Sequence, residues 1–248
     1  MEAINVRLLP YELADGPANM AADDVLLQFA NDEHVASLRF YGWLPATLSL
    51  GYFQPAADRL KIKSPELGTL PWVRRPTGGS ALVHDKEVTY ALALPPGPPW
   101  QNSESWLMRM HRIIAAALTN LGVAAPMSIV EEPQVLGEVL CFQKQTAGDL
   151  ICRGAKIVGS AQRKHHQCLL QHGGILLARS RHAPQLPGIA ELCGLTIMED
   201  QMIAAVKSVF VQETGWELLR AQWTEDDEQR RQRLARGKYS SPIWNERR

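Results

Sequence analysis

One predicted hairpin organises this chain, and it lies within Cys141-Phe-Gln-Lys-Gln-Thr-Ala-Gly-Asp-Leu-Ile-Cys-Arg-Gly-Ala-Lys-Ile-Val-Gly-Ser-Ala-Gln162. Two short apolar runs, 150–152 and 156–161, are typical of neighbouring strands. Gly154 lies between them, and glycine readily adopts the backbone angles that a tight turn requires. The pattern therefore predicts an antiparallel pair of strands joined by a tight hairpin turn.

The second of these strands carries a lysine among small and apolar residues. Because side chains alternate along a strand, one face is predicted to carry Lys156, Val158 and Ser160, and the other Ile157, Gly159 and Ala161. Gly159 has no side chain, so a ligand or another backbone can approach closely there.

A thiol and an amine in this segment could act together. The thiolate form of cysteine is the nucleophile, and a nearby ammonium lowers its pKa from about 8.5 towards neutrality. Lys156 could supply that ammonium to Cys141. Within this segment alone, a second interpretation stands: Lys156 is an edge-strand lysine that reaches water, and Cys141 is a small buried hydrophobic residue.

Composition limits the class of protein. The chain has 248 residues, of which 46% are hydrophobic and 21% charged, which is typical of a globular domain with a full core. Lys plus Arg and Asp plus Glu both number 26, so no net charge favours nucleic acid or an anionic membrane. No signal peptide or membrane-spanning run is recognisable, and we expect a cytoplasmic protein.

The four cysteines make no CxxC pair and no regular framework, so each is expected to be a free thiol. His166, Cys168 and His172 share one face of a predicted strand. They are spread too far along it for a compact tetrahedral zinc site, and no metal is expected.

Hydrophobic periodicity predicts alternating strands and helices, with a more helical and more charged portion after about residue 190. Strands are predicted at 4–9, 37–41, 47–50, 72–74, 81–84, 88–94 and 168–177, and helices at 17–30, 103–121, 199–215 and 225–236.

A second constellation is Arg74-Arg-Pro-Thr-Gly-Gly-Ser80, which joins two fixed positive charges to a glycine turn. Inward-pointing amides in such a turn suit a phosphate or a carboxylate. The spacing matches neither a P-loop nor a dinucleotide-binding fingerprint. His84 follows, either as a structural cap for the turn or as a polar contact to a ligand.

Together these segments resemble the catalytic domain of the lipoate-protein ligase, octanoyltransferase and biotin ligase superfamily. The resemblance covers most of the chain and rests on five motifs in the order in which the family has them. They are Asn19-Met-Ala-x-Asp23, Arg39-Phe-Tyr-Gly-Trp43 with Ser49-Leu-Gly-Tyr-Phe-Gln54, Arg74-Arg-Pro-Thr-Gly-Gly-Ser-Ala-Leu-Val-His84, Lys156-Ile-Val-Gly-Ser-Ala-Gln162 and Gln171-His-Gly-Gly-Ile-Leu-Leu177. Ser80 departs from the pattern, because the family usually has a third glycine or a similarly small residue there.

The resemblance implies a fold and a set of substrate-binding residues. The fold is α/β (α+β), with a class II synthetase and biotin ligase-like mixed sheet flanked by helices. Residues 1–190 would form the catalytic domain, and 191–248 a small helical extension packed on it. The residues expected to bind substrate are Arg74, Arg75, Thr77, Gly78, Gly79, His84, Gly159, Ser160, Ala161, His172 and Gly173.

Cys141 followed by Lys156 is similar to the branch of cysteine-dependent octanoyltransferases of the Bacillus type. That similarity implies transfer of an octanoyl group from acyl carrier protein, through a Cys141 thioester, to a lysine of a lipoyl domain or glycine-cleavage H protein. No cofactor would be needed. Two alternatives are an ATP-dependent lipoate-protein ligase or ligase subunit, and a non-catalytic acyl-binding module. The ligase usually carries a further C-terminal domain, for which the residues after 190 look too few.

Overall fold

The computed structural model describes residues 4–61, 65–101, 103–130, 142 and 144–247. Cys141 lies outside them. The strands are β1 (Asn5–Leu8), β2 (Glu12–Ala14), β3 (Ser37–Trp43), β4 (Thr47–Leu50), β5 (Trp72–Arg74), β6 (Leu82–His84), β7 (Glu87–Leu94), β8 (Leu150–Cys152), β9 (Ala155–His165), β10 (Cys168–Leu176) and β11 (Glu217–Arg220). The helices are α1 (Gly16–Gln28), α2 (Asp58–Lys61), α3 (Pro65–Gly68), α4 (Trp106–Asn120), α5 (Ile189–Cys193), α6 (Glu199–Thr214), α7 (Glu225–Leu234) and α8 (Pro242–Asn245), with π-helical turns at Phe29–Glu33 and Ala235–Tyr239.

The main sheet is mixed. Its strands lie in the order β11-β1-β3-β7-β10-β9-β8, and β2 pairs with β3 beside this path. The run from β3 to β8 is antiparallel, while β11, β1 and β2 join in parallel. The predicted mixed sheet flanked by helices is confirmed.

Both faces of the sheet are buried, as β7 shows. Val88, Tyr90 and Leu92 pack into the core cluster that includes residues of α4 and α6. Ala91 and Ala93 face the other way, into the cluster beneath α1. The alternation of large and small side chains along β7 therefore lets one helix layer pack against each face.

The helices of the two layers begin at polar caps. The Ser105 hydroxyl accepts a hydrogen bond from the amide of Leu107 and begins α4, and the Asp15 carboxylate accepts one from Ala18 and begins α1. Such caps satisfy amide groups that have no partner within the helix. These caps define the residues at which α1 and α4 begin.

A smaller sheet, in the order β5-β4-β6, lies beside the main one. The guanidinium of Arg74, at the end of β5, is fully buried and donates to the carbonyl oxygens of Gly51, Gln54 and Asn245. The last helix, α8, is thus joined to the strand that leads into the arginine-glycine loop, which is the segment 74–80.

Two predictions differ from the structure. Residues 191–248 are not purely helical, because β11 pairs in parallel with β1 and extends the main sheet. The predicted faces of β9 are also wrong at Lys156. Leu150 pairs with Val158 but Ile151 pairs with Lys156, so β9 has one extra residue, a bulge, at Ile157.

No helix in the described ranges is both long and apolar enough to cross a membrane. Within the same ranges, no group of three or more His, Cys, Asp or Glu side chains could hold a metal ion.

Candidate functional site

A cavity opens where the two sheets meet. Its walls come from β9, β10, the arginine-glycine loop and β3. The lining residues are Met20, Tyr41, Trp43, Arg75, Gly79, Leu82, His84, Thr89, Phe142, Gly159, Ser160, Ala161, His172, Gly173 and Gly174.

Gly173 makes room at the cavity wall. A Cβ atom on Gly173 would lie 2.1 Å from the Ser160 hydroxyl oxygen and 2.9 Å from a ring carbon of Tyr90. Any side chain at this position would therefore collide with the neighbouring strands, β9 and β7. Residue 173 has to be glycine for the β10 backbone to lie at the cavity wall.

Lys156 lies beside this wall rather than in the cavity lining. The bulge turns its side chain to the face of Gly159, where a Cβ atom would be 2.5 Å from the lysine Cε. The ammonium lies 2.7 Å from the Asp149 carboxylate and 5.2 Å from the centre of the Phe142 ring. Phe142 directly follows Cys141 in the sequence and lines the cavity.

Asp149 is a site residue that the sequence analysis missed. Its Oδ2 atom accepts hydrogen bonds from the backbone amide and the hydroxyl of Thr146, as well as the ion pair to Lys156. Both charged side chains are at most 5% exposed. A buried lysine requires a counter-charge, which was the available signal, but sequence spacing did not indicate which carboxylate supplies it.

His172 belongs to a buried chain of polar groups. Its Nδ1 donates to the Asp23 carboxylate at 2.8 Å, and its Nε2 lies 2.6 Å from the Thr77 hydroxyl. Tyr41 donates to the same Asp23 oxygen, and burial beside Asp23 raises the pKa of Tyr41 well above its ordinary value. The chain links α1 through β10 to the arginine-glycine loop, so it holds this loop against the cavity.

His84 forms a second chain of the same kind. Its Nδ1 bonds the Glu87 carboxylate at 2.7 Å, its Nε2 lies 2.8 Å from the Ser49 hydroxyl, and its ring stacks on Trp43. Burial lowers the pKa of His84, although Glu87 opposes the shift. The ring is therefore neutral near pH 7, and both of its nitrogens are used in holding the wall together.

The side chain of Arg75 forms hydrogen bonds within the arginine-glycine loop. Its guanidinium donates to the carbonyl oxygens of Gly78 and Ser80 and to the Ser49 hydroxyl. Arg75 lines the cavity, whereas Arg74 lies under α8, away from it. The two adjacent arginines thus have different positions, and the structure brings only Arg75 to the cavity wall.

A third chain of hydrogen bonds joins α4, β9 and β7, and the donor and the acceptor of each bond can be assigned. The carbonyl of Gly148 can only accept, so the Nδ1 atom of His111 carries the proton in that 2.6 Å bond. Burial lowers the pKa of His111, so Nε2 is unprotonated and accepts from the Ser160 hydroxyl. The Tyr90 hydroxyl then donates to Ser160. This chain holds Ser160 of β9 between Tyr90 of β7 and His111 of α4.

The predicted site residues fall into three groups. Those that line the cavity are Arg75, Gly79, His84, Gly159, Ser160, Ala161, His172 and Gly173. Arg74, Thr77, Gly78 and Lys156 lie outside the lining, although Thr77 and Lys156 contact residues that belong to it. Cys141 is not among the described residues.

The wall combines apolar and aromatic surface with the imidazoles of His84 and His172, whose ring nitrogens all have hydrogen-bond partners in the protein. Such a surface suits an uncharged, largely apolar ligand, with the ion pair of Lys156 at its margin. Seven further residues line the cavity without having been predicted from the sequence: Met20, Tyr41, Trp43, Leu82, Thr89, Phe142 and Gly174. Asn19-Met-Ala-x-Asp23 and Arg39-Phe-Tyr-Gly-Trp43 contain three of them, so those motifs were the available signal.

Comparisons with known proteins agree with this geometry. Residues 15–183 match the model of the lipoyl protein ligase A/B catalytic domain. The chain is 30% identical to the octanoyltransferase LipM of Brevibacillus brevis, over 98% of this chain and 99% of that one. It is also 30% identical to the LipM of Symbiobacterium thermophilum, with 97% and 98% covered.

Two solved structures share the fold. A lipoate-protein ligase A bound with ATP superposes with a TM-score of 0.77 at 22% identity, covering 98% of this chain and 99% of that one. A lipoate protein ligase from T. acidophilum with bound lipoic acid gives a TM-score of 0.78 at 19% identity, with the same coverage. The chain therefore belongs to the lipoyl protein ligase A/B catalytic domain family.

Proposed function

We infer that the protein is an octanoyltransferase of lipoate biosynthesis. It takes an octanoyl group from acyl carrier protein and delivers it to a lysine of a lipoyl domain or of glycine-cleavage H protein. The octanoyltransferases named above match this chain over nearly their full length and support this activity. A cytoplasmic location is part of the same proposal.

The Cys141 thiolate attacks the thioester carbonyl of the donor, and the carrier's thiolate leaves and takes up a proton. The octanoyl group is then a thioester on Cys141. The uncharged amine of the acceptor lysine attacks this thioester, loses a proton and expels the Cys141 thiolate, leaving an amide. Backbone amides near Gly78, together with Lys156, stabilise the negatively charged oxygen in each step.

The observation that carries the proposal is the position of Lys156. Its ammonium lies 5.2 Å from the ring of Phe142, the residue next to Cys141, and that ring lines the cavity. A positive charge at this point favours the thiolate over the thiol. The apolar wall beside it can bury the acyl chain, at about 0.8 kcal/mol for each methylene.

Mass spectrometry tests the thioester. Wild-type protein mixed with octanoyl-acyl carrier protein, without ATP, should gain one octanoyl group, and peptide mapping should place it on Cys141. Cys141→Ser should gain none, while Cys168→Ser, a buried cysteine on β10, should load like wild type. Adding a lipoyl domain should then discharge the adduct to a domain lysine.

Equal loading of Cys141→Ser, or an adduct on no cysteine, would contradict the mechanism. Pyrophosphate release that requires ATP and free lipoate or octanoate would indicate a ligase instead. Tight acyl binding without turnover would indicate a binding module.

A further inference from the structure

Two thiols meet at the far end of the β8–β9 hairpin. Cys152 ends β8 and Cys193 ends α5, and their sulfur atoms are 3.4 Å apart although 41 positions separate them in the chain. A disulfide bond is about 2.05 Å long, so a shift of little more than about 1 Å would join them. We propose that Cys152 and Cys193 are a dithiol that oxidises to an intramolecular disulfide, joining β8 to α5.

The two cysteines differ in access to solvent. Cys152 is only 2% exposed, whereas Cys193 is partly exposed. A small disulfide such as glutathione disulfide can therefore reach Cys193, and Cys152 can complete the reaction from inside the protein. Among the described cysteines, Cys168 offers no such pair, because its sulfur contacts Asn31 and the carbonyl of His166.

The chemistry is a double thiol-disulfide exchange with glutathione disulfide as the oxidant. The Cys193 thiolate attacks one glutathione sulfur, a mixed disulfide forms, and a glutathione thiolate leaves. The Cys152 thiolate then attacks the Cys193 sulfur and expels the second glutathione thiolate. Two protein thiols lose two electrons, glutathione disulfide gains them, and the two leaving thiolates take up the two protons.

The second step should depend strongly on pH. Burial is the largest cause that raises the pKa of Cys152 to about 11, and the hydrogen bond with Cys193 adds to it. Since only the thiolate attacks, the rate of this step should rise about tenfold for each pH unit between about 7 and 9.

The bond would join the two supports of the candidate site. β8 follows Asp149 directly, and Ile151 lies opposite Lys156. On the other side, Ala183 and Leu186 precede α5 and pack in one cluster with Phe142. The cross-link therefore joins β8, which pairs with β9 at Lys156, to the segment before α5 that packs in one cluster with Phe142.

The test uses the full chain with Cys141→Ser as background, so that the candidate nucleophile cannot compete for the oxidant. After incubation with glutathione disulfide, free thiols are alkylated and peptides are mapped. The expected product contains Cys152 linked to Cys193, has lost two hydrogen atoms and returns to the dithiol with a reductant. The link should raise Tm by about 10 °C, because it closes a long loop in the unfolded chain.

Two further variants in the same background serve as matched controls. Cys193→Ser should form no internal disulfide and show no rise in Tm, whereas Cys168→Ser should behave like the background. A Cys193 that stops at the glutathione adduct while Cys152 stays a free thiol would overturn the proposal. A bond from Cys152 to a cysteine other than Cys193 would also overturn it. None of these measurements depends on acyl transfer.

Discussion

Lys156 and Asp149 form an ion pair in which both side chains are almost wholly buried. Their atoms approach to 2.7 Å, and Thr146 donates two further hydrogen bonds to the same carboxylate oxygen. Removing one member of such a pair leaves the other charge buried without compensation, at a cost of about 3–5 kcal/mol. A substitution that removes the charge of Lys156 therefore also leaves the Asp149 carboxylate without its counter-charge. The two residues have to be tested together.

In Lys156→Ala, the pKa of Cys141 should rise to or above the free-thiol value of about 8.5, because a positive charge is lost and a carboxylate is left alone. The double variant Lys156→Met with Asp149→Asn removes both charges and should give a pKa between those of wild type and Lys156→Ala. The measurement is the rate of Cys141 alkylation against pH, in a background of Cys152→Ser, Cys168→Ser and Cys193→Ser.

Circular dichroism should first establish that each variant is folded. Coincident pH profiles for wild type and Lys156→Ala would remove the cysteine-lysine mechanism. In a ligase, the loss would appear in adenylate formation, and alkaline buffer would not restore it.

The buried histidines His84 and His111 predict an acid-sensitive fold. Burial lowers both pKa values below the ordinary 6.5. As the pH falls, these two imidazoles therefore bind more protons in the unfolded chain than in the folded chain. The free energy of unfolding should therefore be unaffected by these residues above about pH 7 and fall as the pH drops below about 6.5. The limit is about 1.4 kcal/mol per pH unit for each histidine.

Urea unfolding between about pH 5.5 and 7 measures this dependence, and NMR titration of the imidazole signals assigns it. His111→Gln should make the slope shallower. A folded-state ring signal of either residue that titrates above 6.5 would contradict the assignment.

At the scale of single elements, the bulge in β9 decides where Lys156 points. Strict alternation would put Lys156 on the face of Val158, which is buried in the core cluster beneath α4. The extra residue at Ile157 reverses this and lays the lysine across Gly159. Gly159 is therefore needed for the lysine as well as for the cavity.

Gly159→Ala should displace the lysine, because the new Cβ would lie 2.5 Å from Cε and 3.0 Å from Nζ. Displacement of the Lys156 ammonium from this position should slow the loading of octanoyl onto Cys141 by up to about 10²-fold. Single-turnover loading, followed by mass spectrometry, measures it. Gly237→Ala is the matched control, since a Cβ there meets nothing within 4 Å. Equal loading of the two variants would show that the position of Lys156 is unimportant.

Periodicity predicted most elements close to their observed bounds, because the alternating pattern of β7 and the apolar stripe of α4 record their burial directly. The bulge was not predictable, since the residues around Ile157 follow a regular pattern and only the pairing with β8 reveals the extra residue. β11 was missed for a different reason. It has one partly buried residue, Leu218, and its other residues are exposed, so it carries little hydrophobic signal.

At the scale of the whole molecule, the cavity is assembled from segments far apart in the chain. The motifs identified the arginine-glycine loop, β9 and β10, because each motif lies in one short segment, and the role of its glycines can be interpreted from that segment alone. The pairing of Asp23 with His172 depends on how α1 packs against β10, across 149 positions, which no single segment encodes. The connection between Arg74 and Asn245 also joins distant parts of the chain, because it spans 171 positions.

Asn245→Ala tests that connection. Asn245 accepts from the backbone amide of Arg74 at 2.8 Å and donates to the carbonyl of Tyr239. Losing both bonds leaves buried polar groups without partners and should lower the free energy of unfolding by about 1–3 kcal/mol. Urea denaturation measures this loss. Ile243→Ala is the control, because Ile243 lies in the same short helix and is 87% exposed. Equal losses in the two variants would argue against a specific role for Asn245.

The bond between Arg74 and Asn245 also bears on how the protein is made. On the ribosome, β5 and the loop after it emerge long before residue 245 has been translated. Until then the buried guanidinium of Arg74 lacks the carbonyl of Asn245, and the indole of Trp244 cannot reach the Arg74 carbonyl. The nascent chain should therefore acquire its finished cavity only after translation has passed residue 245, so a stalled or shortened product would carry every motif of the site without its completed support.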